Sequence, residues 1–430
     1  MISTRKLFTL LTVLALALGA FGVSAQDDVP EGPVRLGAVG PFTGPAASIG
    51  QEILQWTRLA VDDFNEETGW SVEIVEVDTE IDPAVAVTAV EAILSDETVY
   101  GATGPAGSQV VGAVAQAFED AGLAHISSAS TNPDLTNPEI NEFDTFFRVV
   151  PTDALQGPTN ANYLSFDLGV TNLVVIDDQT SYAVGLADTA SEVFEANGGT
   201  VLLRESITQD DTDFSALITR IAGTEAEAVF FPGQLASQGA LFAQQLLEQG
   251  VDVVFFGADG FNNQQEFIDD AAGATEGAFV SVFAPDIRGI EDDTVQATID
   301  RYVEEYDDAF SAFGPPAYVA ADVVLRAMLA DYEADGELSR AGTLEAVAAT
   351  DMESSILGTP ISFDENGDVA GASFFIFEVV DGAFVLRGTS STGDDMMDDM
   401  DDMGEEEDME GEEEDADMES TEEAEGEDDE

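Results

Sequence analysis

Three short segments carry side chains that could hold a small charged molecule. Gly104-Pro105-Ala106-Gly107-Ser108 follows the apolar run Val99 to Thr103 and opens an amphipathic one. Ser108 there would present a hydroxyl and a backbone N–H at the positive end of a helix, a seat for a carboxylate. The same position also suits an ordinary N-cap. Ser127-Ser128-Ala129-Ser130-Thr131-Asn132-Pro133 places four hydroxyls within five residues after another apolar strand. Ligands bind beyond the carboxyl ends of strands in open parallel sheets, although such a run also reads as an irregular turn before Pro133. Gly257-Ala258-Asp259-Gly260-Phe261 sets an acid directly after Val253 to Phe256, where it could pair with a ligand cation. Ser181-Tyr182 and Gly233-Gln234 end two further strand-loop units.

Composition removes most other chemistry. The 430 residues contain 88 acids against 12 basic residues, for a formal net charge of -76, with one histidine and no cysteine. Disulfides, thiolate metal sites, cysteine nucleophiles, a lipidated N-terminal cysteine and multi-histidine metal clusters are therefore excluded. So acidic a chain repels nucleic acid. The loop Gly40 to Gly50 lacks the Lys-Ser/Thr ending of a phosphate loop and the glycine spacing of a dinucleotide fingerprint, so it reads as the lining of a cleft. No Gly-x-Ser-x-Gly elbow occurs, and His125 sits inside an apolar strand without a paired acid or nucleophile, which reads as structural and argues against the alternative of an extracellular hydrolase. Asp364 to Asp368 lacks the closing glutamate of a calcium loop and reads as a turn. No cofactor and no metal are expected.

These loops need elements to place them. From Val34 onward, apolar strands alternate with amphipathic helices, and the rhythm restarts after Pro151. The pattern predicts an α/β fold of two doubly wound, mainly parallel-sheet lobes. The last third adds helices over Asp293 to Phe310, Ala317 to Tyr332 and Leu344 to Ala349. Strands follow over Ile361 to Phe363, Ala372 to Val380 and Phe384 to Arg387, the last two joined by the hairpin signal Asp381-Gly382. These segments complete the two lobes: 26–149 with 285–359, and 150–284 with 360–392. The chain would cross near Val149-Val150, Phe283-Ala284 and Thr359-Pro360, a three-strand hinge on which a cleft can close.

The two ends read differently. Residues 1–25 resemble a secretory leader: Arg5 and Lys6, then 17 residues from Leu7 to Val23, then the small-residue site Val23-Ser24-Ala25. The apolar stretch is shorter than the roughly 20 residues that a spanning helix requires. Residues 393–430 carry 24 acids from Asp394 onward, no basic residue and six scattered methionines, which predicts a solvated, disordered tail. The remaining 64 acids face ten arginines, and Lys6 is the sole lysine. Such a surface suits concentrated salt, where a Debye length of about 3 Å at 1 M removes most self-repulsion.

Taken together, leader, interrupted lobes and strand-end loops resemble the leucine/isoleucine/valine-binding family of solute-binding proteins that serve ABC importers, with the type I periplasmic binding protein fold. The resemblance runs from Val34 to about Arg387. It rests on Val39-Gly40-Pro41-Phe42-Thr43-Gly44-Pro45, Asp82-Pro83, Gly104 to Ser108, Phe118 to Gly122, Ala129 to Thr136, Gln156-Gly157-Pro158, Tyr182 to Leu186 and Gly257 to Gly260. It implies that Ser108 holds the ligand α-carboxylate, that Thr131 contacts carboxylate and ammonium, and that the Ala129 carbonyl accepts from the ammonium. Asp259 would face the ammonium, Tyr182 would cover the ligand, and Tyr318 would stand at the cleft edge. Ile49 and Gln234 occupy places where the family often has aromatics, and Trp56 one where a small residue is common. Gln234 suits a polar ligand side chain, whereas Ile49 and Ala106 suit an aliphatic one. The resemblance thus implies an exported, monomeric binder of an aliphatic or small neutral amino acid, branched-chain included, delivering to a membrane permease. An amide, urea or other small carboxylate is the alternative ligand.

Overall fold

The computed structural model describes residues 29–141, 143–306 and 310–391. The leader, and the acidic tail from 393, lie outside the described residues. Five strands form the first sheet: β1 (Val34–Gly40), β2 (Val72–Asp78), β3 (Val99–Thr103), β4 (His125–Ser127) and β5 (Phe146–Arg148). All are parallel, in the order β2-β1-β3-β4-β5. The order reverses beside β1, which is where an open sheet leaves a crevice. Leu36 and Val39 point to opposite faces of β1 and both are buried, as helices on either face require.

The helices follow from local signals. α1 (Ala47–Thr68) buries Ile49, Ile53, Trp56, Leu59, Ala60 and Phe64 at helical spacing and stops at Gly69, whose φ of 75° is left-handed. α2 (Pro83–Ala89) begins at a proline after Asp82, whose carboxylate accepts from the N–H groups of Ala84 (2.7 Å) and Val85 (3.2 Å). A short α3 (Glu91–Leu94) precedes β3, and α4 (Ser108–Ala121) follows it.

The second sheet has seven strands. α5 (Asp153–Asn162) leads into β6 (Asn172–Asp177), then α6 (Ser181–Ala196), β7 (Thr200–Ser206), α7 (Ser215–Ala222), β8 (Ala228–Phe231), α8 (Ala236–Glu248), β9 (Val254–Gly257) and β10 (Phe279–Val282). α9 (Asp293–Tyr306), α10 (Gly314–Asp335) and α11 (Arg340–Ala348) then return to the first sheet, α9 and α10 packing on α1. Trp56 of α1 stacks on Tyr302 of α9 with 4.4 Å between ring centroids. After β11 (Asp351–Met352) and β12 (Ile361–Ser362), β13 (Ser373–Val380) and β14 (Ala383–Ser391) finish the second sheet. Its order is β14-β13-β10-β9-β8-β6-β7, parallel from β7 to β10 and antiparallel across β13 and β14. Asp381 (φ 52°) and Gly382 (φ 75°) make the expected tight hairpin.

The chain passes between the sheets three times, over 149–152, 283–292 and 349–372. One expected element differs. Ile361 to Phe363 does not extend the second sheet, because β12 pairs antiparallel with β11 as a separate ribbon. The segment after it lies along β5 instead, where Arg148 N donates to Gly367 O at 3.0 Å.

Candidate functional site

A cavity with about 350 Å³ of unfilled space lies where the carboxyl ends of the two sheets meet. Loops after β2, β3 and β4 supply Ile81, Ala106, Gly107, Ser108 and Ala129, while Ile49 comes from α1 and Phe313 from the residue before α10. Loops after β6, β8 and β9 supply Tyr182, Gln234, Asp259 and Gly260. Close approach of these loops requires glycine at two places. A Cβ on Gly50 would lie 2.0 Å from Pro41 O, and one on Gly260 would lie 2.4 Å from Gly233 O.

One end of the cavity is built to donate. Ser108 is the first residue of α4, and no side chain caps this helix. The N-cap role open to Ser108 is therefore not the one it takes. Its hydroxyl oxygen accepts from Asn132 N at 3.2 Å, tying the hydroxyl-rich loop to the helix start. Ser127 and Ser130 donate their hydroxyls to Pro105 O at 2.7 and 3.2 Å, which draws the two loops together. The N–H groups of Ser108 and Gln109 open α4 with the positive helix dipole behind them, while those of Val110 and Val111 are taken by Gly107 O at 2.9 and 3.1 Å.

The opposite end is acidic. Asp259 is buried, and its Oδ1 accepts from Gln156 Nε2 and from Tyr182 Oη, both at 2.8 Å. Burial pushes its pKa up to about 6 against the pull of those two bonds. Tyr182 is raised well above the ordinary phenol range by its own burial and by the neighbouring carboxylate. Gln156 also donates to Ser281 Oγ at 3.0 Å, so it locks Asp259 onto β10.

Behind Asp259 lies a second acid that sequence reasoning missed. Asp153, in the first turn of α5, is fully buried, and neither carboxyl oxygen has a hydrogen-bond partner among the described residues. The Thr131 hydroxyl, likewise without a hydrogen-bond partner, stands beside it and pulls its pKa down, as does Arg148. Burial and the nearby Asp259 push its pKa well above the carboxylate range. The helix start favours an anion by at most about 2 kcal/mol, while stripping a carboxylate of water costs several kcal/mol, so desolvation wins.

Seven of the nine sequence-named residues meet on this cavity: Ile49, Ala106, Ser108, Ala129, Tyr182, Gln234 and Asp259. Thr131 is fully buried beside Asp153, just off the wall. Tyr318 lies elsewhere, and this corrects its expected place at the cleft edge. Its hydroxyl donates to Asp63 Oδ2 at 2.8 Å, about four turns along α1 from Ile49, and its ring packs edge-on to Trp56. Trp56 is itself a core residue with no exposed surface. Ile81 and Phe313 were not foreseen as wall residues. Phe313 is placed by Glu52, whose Oε1 accepts from Ser311 N (2.9 Å), Ser311 Oγ (3.1 Å) and Gly314 N (2.7 Å).

Three of the hydrogen bonds between the lobes involve side chains at the rim of the cleft. Gln109 Nε2 donates to Gln234 Oε1 at 2.8 Å, Asn132 Nδ2 to Ser181 O at 2.8 Å, and Ala312 N to Asn262 Oδ1 at 2.8 Å. Gln234 Oε1 also accepts from Gln209 Nε2 at 3.0 Å, so its carbonyl is committed to the rim. A wider groove of about 1,600 Å³ runs beside α9. Within it Tyr302 Oη donates to Gln55 Oε1 at 2.9 Å and Ser311 Oγ to Glu52 Oε1 at 3.1 Å.

Comparison with known proteins agrees with the fold. The family model for periplasmic binding proteins matches residues 33–383. A leucine-, isoleucine-, valine-, threonine- and alanine-binding protein of Pseudomonas aeruginosa is 27% identical over 87% of this chain and 96% of its own. The leucine-binding protein LivK of Thermotoga maritima superposes with a TM-score of 0.75 at 24% identity, covering 84% of this chain and 99% of its own. LivJ of Streptococcus pneumoniae, a branched-chain amino acid transporter substrate-binding protein solved with isoleucine, gives 0.74 at 24% identity with the same coverage.

Proposed function

The chain belongs to the periplasmic binding protein family, and we propose that it captures a neutral aliphatic α-amino acid outside the cytoplasm and delivers it to the permease of an ABC importer. One observation carries this reading. A single cavity is lined by Ser108 at the start of α4 and by the buried carboxyl of Asp259, groups that suit the two charges of a zwitterion. Ser108 and the first turn of α4 would take the α-carboxylate. Asp259, Asp153 and the Ala129 carbonyl would take the ammonium, and Tyr182 would close over the ligand. Ile49, Ile81, Ala106 and Phe313 form an apolar wall for the side chain, and the commitment of Gln234 to the rim favours an aliphatic group over a polar one. The name of the Pseudomonas relative supports the same ligand class.

Capture would proceed by closure of the lobes about the passages near 149–150, 283–284 and 359–360, with the three cross-cleft bonds forming last. Cleavage after Ala25 would export the chain, which would act as a monomer. The relatives are named as binding proteins, and the site contains no nucleophile–base pair that would argue for catalysis.

Titration calorimetry with the aliphatic amino acids, at about 2 M KCl to screen charge, tests this. Binding of leucine, isoleucine or valine is expected. Asp259→Asn should weaken it by about 10–150-fold, the worth of a charge-assisted hydrogen bond. Binding of amides or urea alone, indifferent to Asp259→Asn, would replace the amino-acid reading with the alternative ligand class.

A further inference from the structure

Asp259 lines the cavity and Asp153 is buried behind it, and their partners differ in kind. Asp259 receives two hydrogen bonds, from Gln156 and Tyr182, which suits an anion. Asp153 is equally buried and receives none. A carboxylate sealed from water without a donor is an uncompensated charge. The charged and titratable groups around the pair do not supply the missing compensation. Arg148, from β5, is the cation that acts on Asp153, but its guanidinium is already spent. Nε meets Asp368 Oδ1 at 2.5 Å, Nη1 donates to the carbonyls of Ser130 (3.1 Å) and Asn132 (2.8 Å), and Nη2 donates to Thr136 Oγ1. From α6, Tyr182 adds a phenol, and Asp178 acts on that phenol as a further negative charge. Thr131, from the loop after β4, adds only a hydroxyl. Along α5 itself, the neighbours on the same face are Gln156 and Asn160, which are neutral.

We propose that Asp153 and Asp259 share a single proton while the site is empty, held by Asp153, and that an arriving ligand ammonium displaces it. This deepens the amino-acid reading above and rests on it. The exchange balances: the ammonium brings one positive charge and its own three hydrogens, the carboxyl O–H of Asp153 breaks, and the proton leaves to water. Asp153 then becomes an anion with a partner, and the net charge at the ammonium end of the site is unchanged. Asp153, Gln156, Tyr182 and Asp259 all stand on elements of the second sheet's lobe, so the pair stays together whatever the separation of the lobes. A ligand of the same shape without an ammonium would have nothing to exchange for the proton, which makes the pair a filter for amines as well as a proton coupling.

The test is calorimetric titration of the full chain with L-leucine at pH 6, in about 2 M KCl, in two buffers of different ionisation enthalpy. Leucine's own ammonium stays protonated at this pH, so protons released come from the protein. Release of about one proton per leucine bound is expected, with affinity rising about tenfold per pH unit where the pair titrates. In Asp153→Asn the release should fall by at least half. No release by the native protein, or unchanged release in the variant, would overturn the proposal. Infrared difference spectra of ligand-free native protein and Asp153→Asn read the same proton without a ligand. A protonated-carboxyl band lost in the variant supports the shared proton, and loss of a carboxylate band alone overturns it. Absence of any leucine heat would count against the ligand class, and the infrared result would still decide the proton.

Discussion

Fully buried between the rings of Phe118 and Phe146, His125 has its Nδ1 3.3 Å from Gly104 O, an acceptor that fixes Nδ1 as the protonated nitrogen of a neutral ring. Burial pushes its pKa down to about 3, whereas in the unfolded chain it is near 6.5. Between those values the unfolded state binds a proton that the folded state refuses, so stability falls as pH drops through that window, by up to about 4–5 kcal/mol. Since the chain has one histidine, His125→Leu should remove this acid-sensitive component alone. Denaturant unfolding from pH 7 to pH 3 should show the native protein losing ground to the variant as pH falls, and a constant difference would refute the assignment. The structural role of His125 was legible because an isolated histidine in an apolar strand has nothing to work with. Asp153 was not legible for the opposite reason: an aspartate in the first turn of a helix is ordinary, and this one stands among 88 acids. Its burial and missing donors exist only once α5 meets the loop after β4. Tyr318 shows the converse, since an aromatic near a cleft in sequence order turned its hydroxyl to Asp63 instead.

At the level of elements, long periodic segments were readable and short ones were not. α1 and β13 announce themselves by spacing and by the Asp381-Gly382 turn. β5, at three residues, offers no period, and the 361–369 segment takes its place from Arg148, whose contact with Asp368 spans a sequence distance no local pattern encodes. Arg340 makes a similar long-range joint. From the first turn of α11 it donates to the carbonyls of Ile93, Leu94, Asp96, Val99 and Ala121, closing the carboxyl ends of α3 and α4 and the entrance to β3. Ile93 O and Asp96 O also accept from Asp96 N and Val99 N, so the arginine adds a shared cap over a partly bonded cluster. Arg340→Met should cost about 2–4 kcal/mol in urea unfolding. Arg340→Lys should recover only part, because three donors on a point charge cannot reproduce a planar fork of five. Full recovery by lysine would mean that charge, rather than the shared cap, matters here.

Across the whole molecule, the ten arginines beyond the leader are all committed. Nine form ion pairs with carboxylates, and Arg340 serves backbone carbonyls. Most of these pairs are at least partly exposed, so each is worth little by itself, and none leaves a cation to offset the excess of 54 acids over arginines before residue 394. The folded lobes therefore repel themselves at low ionic strength, where the Debye length of about 10 Å at 0.1 M spans several neighbouring carboxylates. At 1 M it is about 3 Å, and the repulsion is confined to groups almost in contact. The melting temperature should rise from 0.05 M KCl and flatten near 1 M, before any further gain from salts that strengthen apolar burial. Sulfate would raise that second limb above chloride at equal ionic strength, whereas the first limb should depend on ionic strength alone. A melting temperature independent of KCl from 0.05 to 3 M would show that the acidic surface carries no such penalty. Because screening also loosens the long-range attraction of any cationic ligand to this surface, ligand association should slow with salt even as the fold tightens, less so for a zwitterion than for lysine. Measuring both on one preparation separates the charge of the surface, which sets stability, from the paired charges of the cavity, which are sealed from the salt.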